Sequence, residues 1–327
     1  MSYVLNNGPR PVAAATRERV QSAMQELGYR PNLVARALRS SRSNTLGLVV
    51  PDSTEPFFTE LVSAVERAAF AEGCLVLLGN SAFSRTLEQR YVESLSGMQV
   101  DGLLLVQAEV NEPRALPVAT VPLVYLNHRA PQAVRAASVV LANRRGGALA
   151  TDHLLQHGYA RVDCLTGTAR SGPVADRARG WADALERAGM APGQVLRTGL
   201  DRQSTRDQVR RWLAGPDRPR AVMATADGLA MDVLTVAQEL GVVVPDELAV
   251  FGFGATGSAA FSWPGLSTAG HAFDDIAREA VQALRRARET TTPPREVVLD
   301  VGLVLRRSCG CADTAGPAPD AVRQAAR

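Results

Sequence analysis

Two short motifs in this chain carry side chains that bind metals. His153 and His157 stand four residues apart, which would put two imidazoles on one helix face, and Cys309-Gly310-Cys311 offers two thiols. Each is weak alone. Leu154 occupies the position where a zinc-protease helix of the H-E-x-x-H type carries its glutamate, and no second cysteine pair or histidine lies close to Cys309 in sequence. The histidines then read as an exposed helix face and the cysteines as structural or incidental, so no metal is expected. Gly252-Phe253-Gly254-Ala255-Thr256-Gly257 imitates a dinucleotide loop by spacing, but a weak helix signal follows it and the downstream acid is missing. No G-x-S-x-G, no P-loop and no paired nucleophile and base stand out. The chain predicts no catalytic residue and no cofactor. What remains is binding chemistry, and Asp52-Ser53-Thr54-Glu55-Pro56-Phe57-Phe58, directly after an apolar run, is the first candidate for it.

The elements that would position such a site are legible as alternation. Leu46 to Val50, Cys74 to Gly79, Asp101 to Val106 and Leu123 to Leu126 read as buried strands, with helices over Phe58 to Ala71 and Thr86 to Gly97. A second series follows: strand Val139 to Leu141, helix Gly147 to His157, strand Val162 to Leu165, helices Ala175 to Ala188 and Ser204 to Leu213, strand Ala221 to Ala224, helix Gly228 to Leu240 and strand Leu248 to Phe253. Strands alternating with helices predict an α/β fold of two doubly wound parallel-sheet lobes, and open sheets of this kind bind ligands at strand C-terminal ends. At 327 residues and 46% hydrophobic the chain can bury two such cores. No apolar run is long enough to span a membrane and no signal peptide opens the chain, so a soluble cytoplasmic protein is expected. There is no lysine, and Ile276 is the only isoleucine, as a GC-rich coding sequence would produce.

The N-terminal segment is chemically different. Residues 1–45 carry seven arginines against two glutamates, a net of +5, which leaves −2 for the rest of a chain whose total is +3. A basic head on a mildly acidic body is the electrostatic footprint of a nucleic-acid binder. In the head, Thr16 can cap a helix with Val20, Met24 and Leu27 on one face, and Gly28 can end it. Pro31 disfavours helix at Arg30 and lets a short helix run from Asn32 to Leu38; the polar run Ser40 to Asn44 then reads as a linker.

Tyr3-Val4-Leu5-Asn6-Asn7, Thr16-Arg17-Glu18-Arg19-Val20, Leu27-Gly28-Tyr29-Arg30-Pro31-Asn32 and Val34-Ala35-Arg36-Ala37-Leu38, in this order and spacing, resemble the lactose repressor (LacI) family, and the likeness extends over essentially the whole chain. The resemblance implies an all-α helix-turn-helix head at 1–30, a hinge helix and linker at 31–45, and a periplasmic-binding-protein-like body at 46–311. Lobe 1 would hold about 46–143 and 273–300, lobe 2 about 144–272 and 301–311, and residues 312–327 would form a disordered tail. It implies DNA contacts at Tyr3, Asn6 and Asn32, with Leu38, flanked by Ala37 and Arg39, wedging into the minor groove. It places effector contacts at Phe57, Phe58, Asn127, Arg177 and Asp227.

Relative to the family pattern, the first helix, the turn and half of the recognition helix are absent, and Met1 falls where the family has valine. A GTG codon read as a start would explain this, with roughly 15 to 25 further residues encoded upstream; a true truncation is the other explanation. In the cleft, Ala226 stands where the family has asparagine and Gly254 where it has aspartate. Losing those acceptors points to a sugar-like or less hydroxylated effector. The function expected is that of a homodimeric, effector-controlled transcriptional repressor on a palindromic operator. A small-molecule-binding protein without DNA activity is the alternative.

Overall fold

The structure, a computed structural model, describes residues 13–28, 42–107, 119–289 and 295–312. These fall into two units, residues 1–44 and residues 45–327. In the first, α1 (Ala14–Glu26) starts after Ala13, whose carbonyl accepts from the amides of Thr16 and Arg17. Thr16 thus lies inside the first turn and does not cap the helix. Alanine propagates a helix well, so the helix extends past the threonine to Ala14. Gly28, at φ +59°, closes the other end in the left-handed conformation that glycine favours. None of α1 is buried, and Leu27 is 81% exposed.

In the second unit β1 (Thr45–Val50), α2 (Pro56–Ala71), β2 (Leu75–Asn80), α3 (Arg85–Gly97), β3 (Gly102–Val106), β4 (Leu123–Leu126) and β5 (Ala137–Leu141) build the first lobe. The chain then crosses to α4 (Asn143–Gln156), β6 (Asp163–Gly167), α5 (Pro173–Arg187), β7 (Val195–Thr198), α6 (Arg202–Ala214), β8 (Ala221–Ala224), α7 (Asp227–Glu239), β9 (Ala249–Phe253), α8 (Gly257–Phe261) and β10 (Ser267–Gly270). It returns for α9 (Phe273–Glu289) and β11 (Glu296–Leu299), and crosses a last time to β12 (Gly302–Val304) and a 3-10 turn at Arg307–Cys309. The sheets run β11-β5-β4-β3-β1-β2 and β12-β10-β9-β8-β6-β7. The first is wholly parallel; in the second only β12 runs antiparallel, against β10. This is the two-sheet α/β class that the alternation of strands and helices predicts. Strands such as Leu103-Leu104-Leu105-Val106 are apolar without alternation because helices cover both faces.

Strand order fixes where a ligand can sit. In each sheet the winding reverses between the first strand and the third, at β1/β3 and at β6/β8, and the crevice at such a reversal opens at the strand C-termini. The three crossings are tied together beside it. Ala142 donates its amide to the Leu299 carbonyl at 2.8 Å, His271 Nδ1 lies 2.7 Å from the Asp300 carbonyl, and Arg145 pairs with the Asp300 carboxylate. Three strands pinned at one place make a hinge. Among the described residues no helix is long and apolar enough to cross a membrane.

Candidate functional site

In the first lobe the loop after β1 is folded by its own polar side chains. Asp52 Oδ1 accepts from the amide and hydroxyl of Thr54, and Glu55 caps α2 by accepting the Phe57 amide at 2.9 Å, with Pro56 in the first turn. Phe57 and Phe58 are half-buried, set edge to face at 5.5 Å, and Phe57 also packs on Phe273 at 5.3 Å. Each is anchored to the core on one side. Asn127, at the end of β4, adopts φ +62° while its amide donates to the Val139 carbonyl. Its Oδ1 is buried without a hydrogen-bond partner among the described residues. A buried acceptor left like this costs about 1–3 kcal/mol, so Asn127 is poised for a donor. Next to it, burial pushes the His128 pKa down to about 4, the Leu126 backbone hydrogen bond opposing and the charge of Arg177 assisting, so the ring is neutral near pH 7.

In the second lobe Arg177 projects from the first turns of α5, directly after the switch-point strand β6. It is buried, with Nε donating to Asn143 Oδ1 and Nη1 to the Thr225 carbonyl, both at 2.8 Å, and its guanidinium lies 3.9 Å over the Phe253 ring. Asn143, which nothing in the sequence singled out, is thus the residue that aims Arg177. Asp227 is buried at the start of α7. Oδ2 accepts from both the amide and the hydroxyl of Thr256, and Oδ1 from the Thr268 hydroxyl. The carboxylate ties the start of α7 to the segment after β9 and to β10. Burial raises its pKa against those hydrogen bonds and the Arg177 charge.

The same carboxylate lies against two glycines of the β9 end. A Cβ at Gly254, where φ is +147°, would meet Asp227 Oδ2 at 3.0 Å, and one at Gly252 would meet Oδ1 at 2.4 Å. At Gly254 it is the positive φ that disfavours any side chain, while the Asp227 carboxylate would need to shift only slightly.

The two halves touch. Arg129, two residues after Asn127, lies 3.8 Å from Asp176, the neighbour of Arg177. Glu60 of α2 accepts the Gly257 amide at 2.7 Å, and a Cβ on Gly228 would stand 3.2 Å from Glu55 Oε1. First-lobe carboxylates thus face the starts of second-lobe helices, where unpaired amides favour negative charge. Burial holds the Glu55 carboxyl above its ordinary 4.5; the Phe57 and Phe58 amides oppose this, while the charges of Asp227 and Asp52 add to it. The folded state therefore holds that proton more tightly than the unfolded chain. The linked stabilisation is complete below pH 4.5 and is lost as pH rises through the raised value. Glu55→Gln, neutral throughout, should gain stability relative to the parent as pH rises. Melting curves from about pH 4 to about pH 8 check this: a constant difference would mean that the carboxyl ionises as freely folded as unfolded.

Asn127 thus ends β4, the Phe57–Phe58 pair opens α2, Arg177 stands in the first turns of α5 and Asp227 is buried at the start of α7. The expected DNA contacts Tyr3, Asn6, Asn32, Ala37, Leu38 and Arg39 lie outside the described residues, as does the tail beyond Ala312. The fold brings His153, His157, Cys309 and Cys311 together, with their ligand atoms within 4.8 Å of one another. In sequence the two pairs lie about 150 residues apart, and the last crossing of the chain is what joins them.

Residues 1–32 match the family described as bacterial regulatory proteins, lacI family, and residues 151–309 match the periplasmic binding protein-like domain. The ribose operon repressor of Escherichia coli (strain K12) is 32% identical over 314 residues, covering 94% of this chain and 94% of that protein. The transcriptional regulator CelR, solved in complex with cellobiose, is 30% identical and superposes with a TM-score of 0.71 over 94% of both chains. The lac repressor dimer bound to operator and the anti-inducer ONPF gives a TM-score of 0.81 over 94% of both chains at 24% identity, a likeness of fold.

Proposed function

Because the chain belongs to the LacI family of bacterial regulatory proteins, we propose that it is a cytoplasmic, homodimeric transcriptional repressor whose hold on operator DNA is set by a small molecule bound between its two lobes. The supporting observation is geometric: the chain crosses three times between two α/β sheets, Asn127 ends a strand of one with an unpartnered buried oxygen, Arg177 stands in the helix after a strand of the other, and Arg129 and Asp176 beside them lie 3.8 Å apart. A ligand bridging both would fix the angle between lobes. Lobe angle would in turn set the spacing of paired hinge helices and so the DNA-competent population. No catalytic step is assigned.

The lobes are taken as about 46–143 with 273–300, and 144–272 with 301–311. For the effector, Arg177 supplies donors to a ligand oxygen, Asn127 accepts from a hydroxyl or amide, and Phe57 and Phe58 cover an apolar face. With Ala226 and Gly254 contributing no polar side chain, a metabolite less hydroxylated than a simple sugar fits best. On DNA, Tyr3 and Asn6 would meet base edges and Asn32 a phosphate, while Leu38, between Ala37 and Arg39, wedges a minor-groove step.

Selection from random duplexes with the full chain tests the reading. It should enrich a palindrome, and Leu38→Ala should weaken binding to that site by a few kcal/mol, on the order of 100-fold at fixed salt, with effector affinity unchanged. Equal operator affinity in the variant would remove the wedge. Enrichment of no sequence at all would leave a small-molecule binder without DNA activity.

A further inference from the structure

We propose that His153, His157, Cys309 and Cys311 form a zinc site that fastens the end of the second lobe to α4. His153 Nε2 lies 3.4 Å from each sulfur, His157 Nε2 lies 3.3 Å from Cys311 Sγ, and the two imidazole nitrogens are 3.2 Å apart. All four ligand atoms fall within 4.8 Å of one another. Zinc bonds of about 2.0–2.1 Å to nitrogen and about 2.3 Å to sulfur, at tetrahedral angles, place ligand atoms about 3.3–3.8 Å apart. Four of the six ligand pairs already lie at 3.2–3.4 Å, and the widest, within 4.8 Å, would close by about 1 Å around the metal.

Local structure explains the convergence. One helix turn sets the two histidines on the same face of α4, and the T-shaped contact of His153 with Phe251 at 5.5 Å orients its ring. Gly310 takes φ +98°, a left-handed conformation that turns the two flanking thiols to the same side. Ser267 Oγ stands 3.0 Å from Cys309 Sγ, within reach to support a thiolate, as outer-shell groups do at metal centres.

The donor set decides the metal class. Two sulfurs and two imidazoles with no carboxylate suit zinc and do not suit magnesium or calcium, and four protein ligands leave no open position for catalysis. The site is also separate from the effector cleft. Asn143, which holds Arg177, begins the helix that His153 and His157 end, ten residues or about 15 Å away. Metal would therefore act by clamping the segment after β12 onto the helix that aims Arg177.

The test uses the full chain, purified reduced and without a metal-affinity tag, loaded with Zn²⁺, desalted and analysed for metal by mass spectrometry. About one zinc per chain is expected, and Co²⁺ should give visible bands of tetrahedral cobalt with thiolate charge transfer. Cys311→Ser and His157→Gln, at the less buried ligands, should each fall below about one tenth of an equivalent with unchanged circular dichroism, while Cys74→Ser keeps its metal. Less than one tenth in the parent, full retention in both ligand variants, or cobalt without thiolate charge transfer would each overturn the site. A Cys309–Cys311 disulfide in the reduced, loaded protein would do the same. The cobalt spectrum of the parent decides the matter even if a variant misfolds.

Discussion

Gly180→Ala is expected to destabilise the protein by about 3–5 kcal/mol, the largest loss from adding a single methyl group. A Cβ at Gly180 would lie 1.9 Å from the Arg144 carbonyl oxygen and 2.8 Å from the Ala148 amide nitrogen. On the facing helix a Cβ at Gly147 would lie 2.1 Å from the Arg177 carbonyl. Helices α4 and α5 therefore meet backbone to backbone, glycine against chain in both directions, and no rotamer change can relieve a clash with a carbonyl. The helices must separate, and the gap then opens beside buried Trp181 and Leu154. The melting temperature should fall on the order of 10 °C. Gly97→Ala is the matching control: it ends α3, a Cβ there meets nothing within 4 Å, and the change should be neutral or slightly stabilising. Equal melting temperatures for the two variants would mean that α4 and α5 do not approach this closely in solution. The consequence reaches the site as well, since Asn143 and Arg177 sit on these two helices and their 2.8 Å bond would lengthen.

Those glycines also show where the sequence misleads. Arg145-Gly146-Gly147 reads locally as a break, so the helix is expected to begin at Gly147, whereas α4 begins at Asn143 and keeps the glycines because Phe253 and α5 press on them. Tertiary contact overrides the propensity, and with the first turn the sequence reading also loses Asn143. Long apolar strands such as β1 and β3 were legible because burial writes itself into periodicity. Four elements were not: β7 and β11 are short edge strands with alternate residues in solvent, β10 is Ser-Thr-Ala-Gly without an apolar signal, and α8 is barely more than a turn. The cleft residues followed from family likeness and strand-end position, but likeness could not tell that Asp227 spends its oxygens on Thr256 and Thr268. The four proposed metal ligands illustrate the opposite case. Each half lies in plain sight, yet more than 150 residues separate His153 from Cys309, and only the returning chain puts their ligand atoms 3.4 Å apart.

Arg177→Met should cost about 3–5 kcal/mol of stability and, separately, abolish measurable effector affinity. Methionine matches much of the side-chain volume, so the loss is not a packing loss. What it removes is the donor to Asn143 Oδ1, the donor to the Thr225 carbonyl and the charge over the Phe253 face, leaving two acceptors in a buried place. Arg177→Lys separates these effects. The charge remains, but an ammonium on a flexible stem cannot hold the fork that binds Asn143 and the Thr225 carbonyl together. The lysine variant should therefore recover about half of the lost stability while its effector affinity stays more than tenfold below that of the parent. Thermal unfolding and effector titration on the same preparations read the two quantities independently. If lysine restores effector affinity in full, positive charge alone is what the ligand needs, and the aimed guanidinium loses its role. If methionine keeps both stability and affinity, Arg177 belongs to the fold's history and the effector is held by the Asn127 side of the cleft.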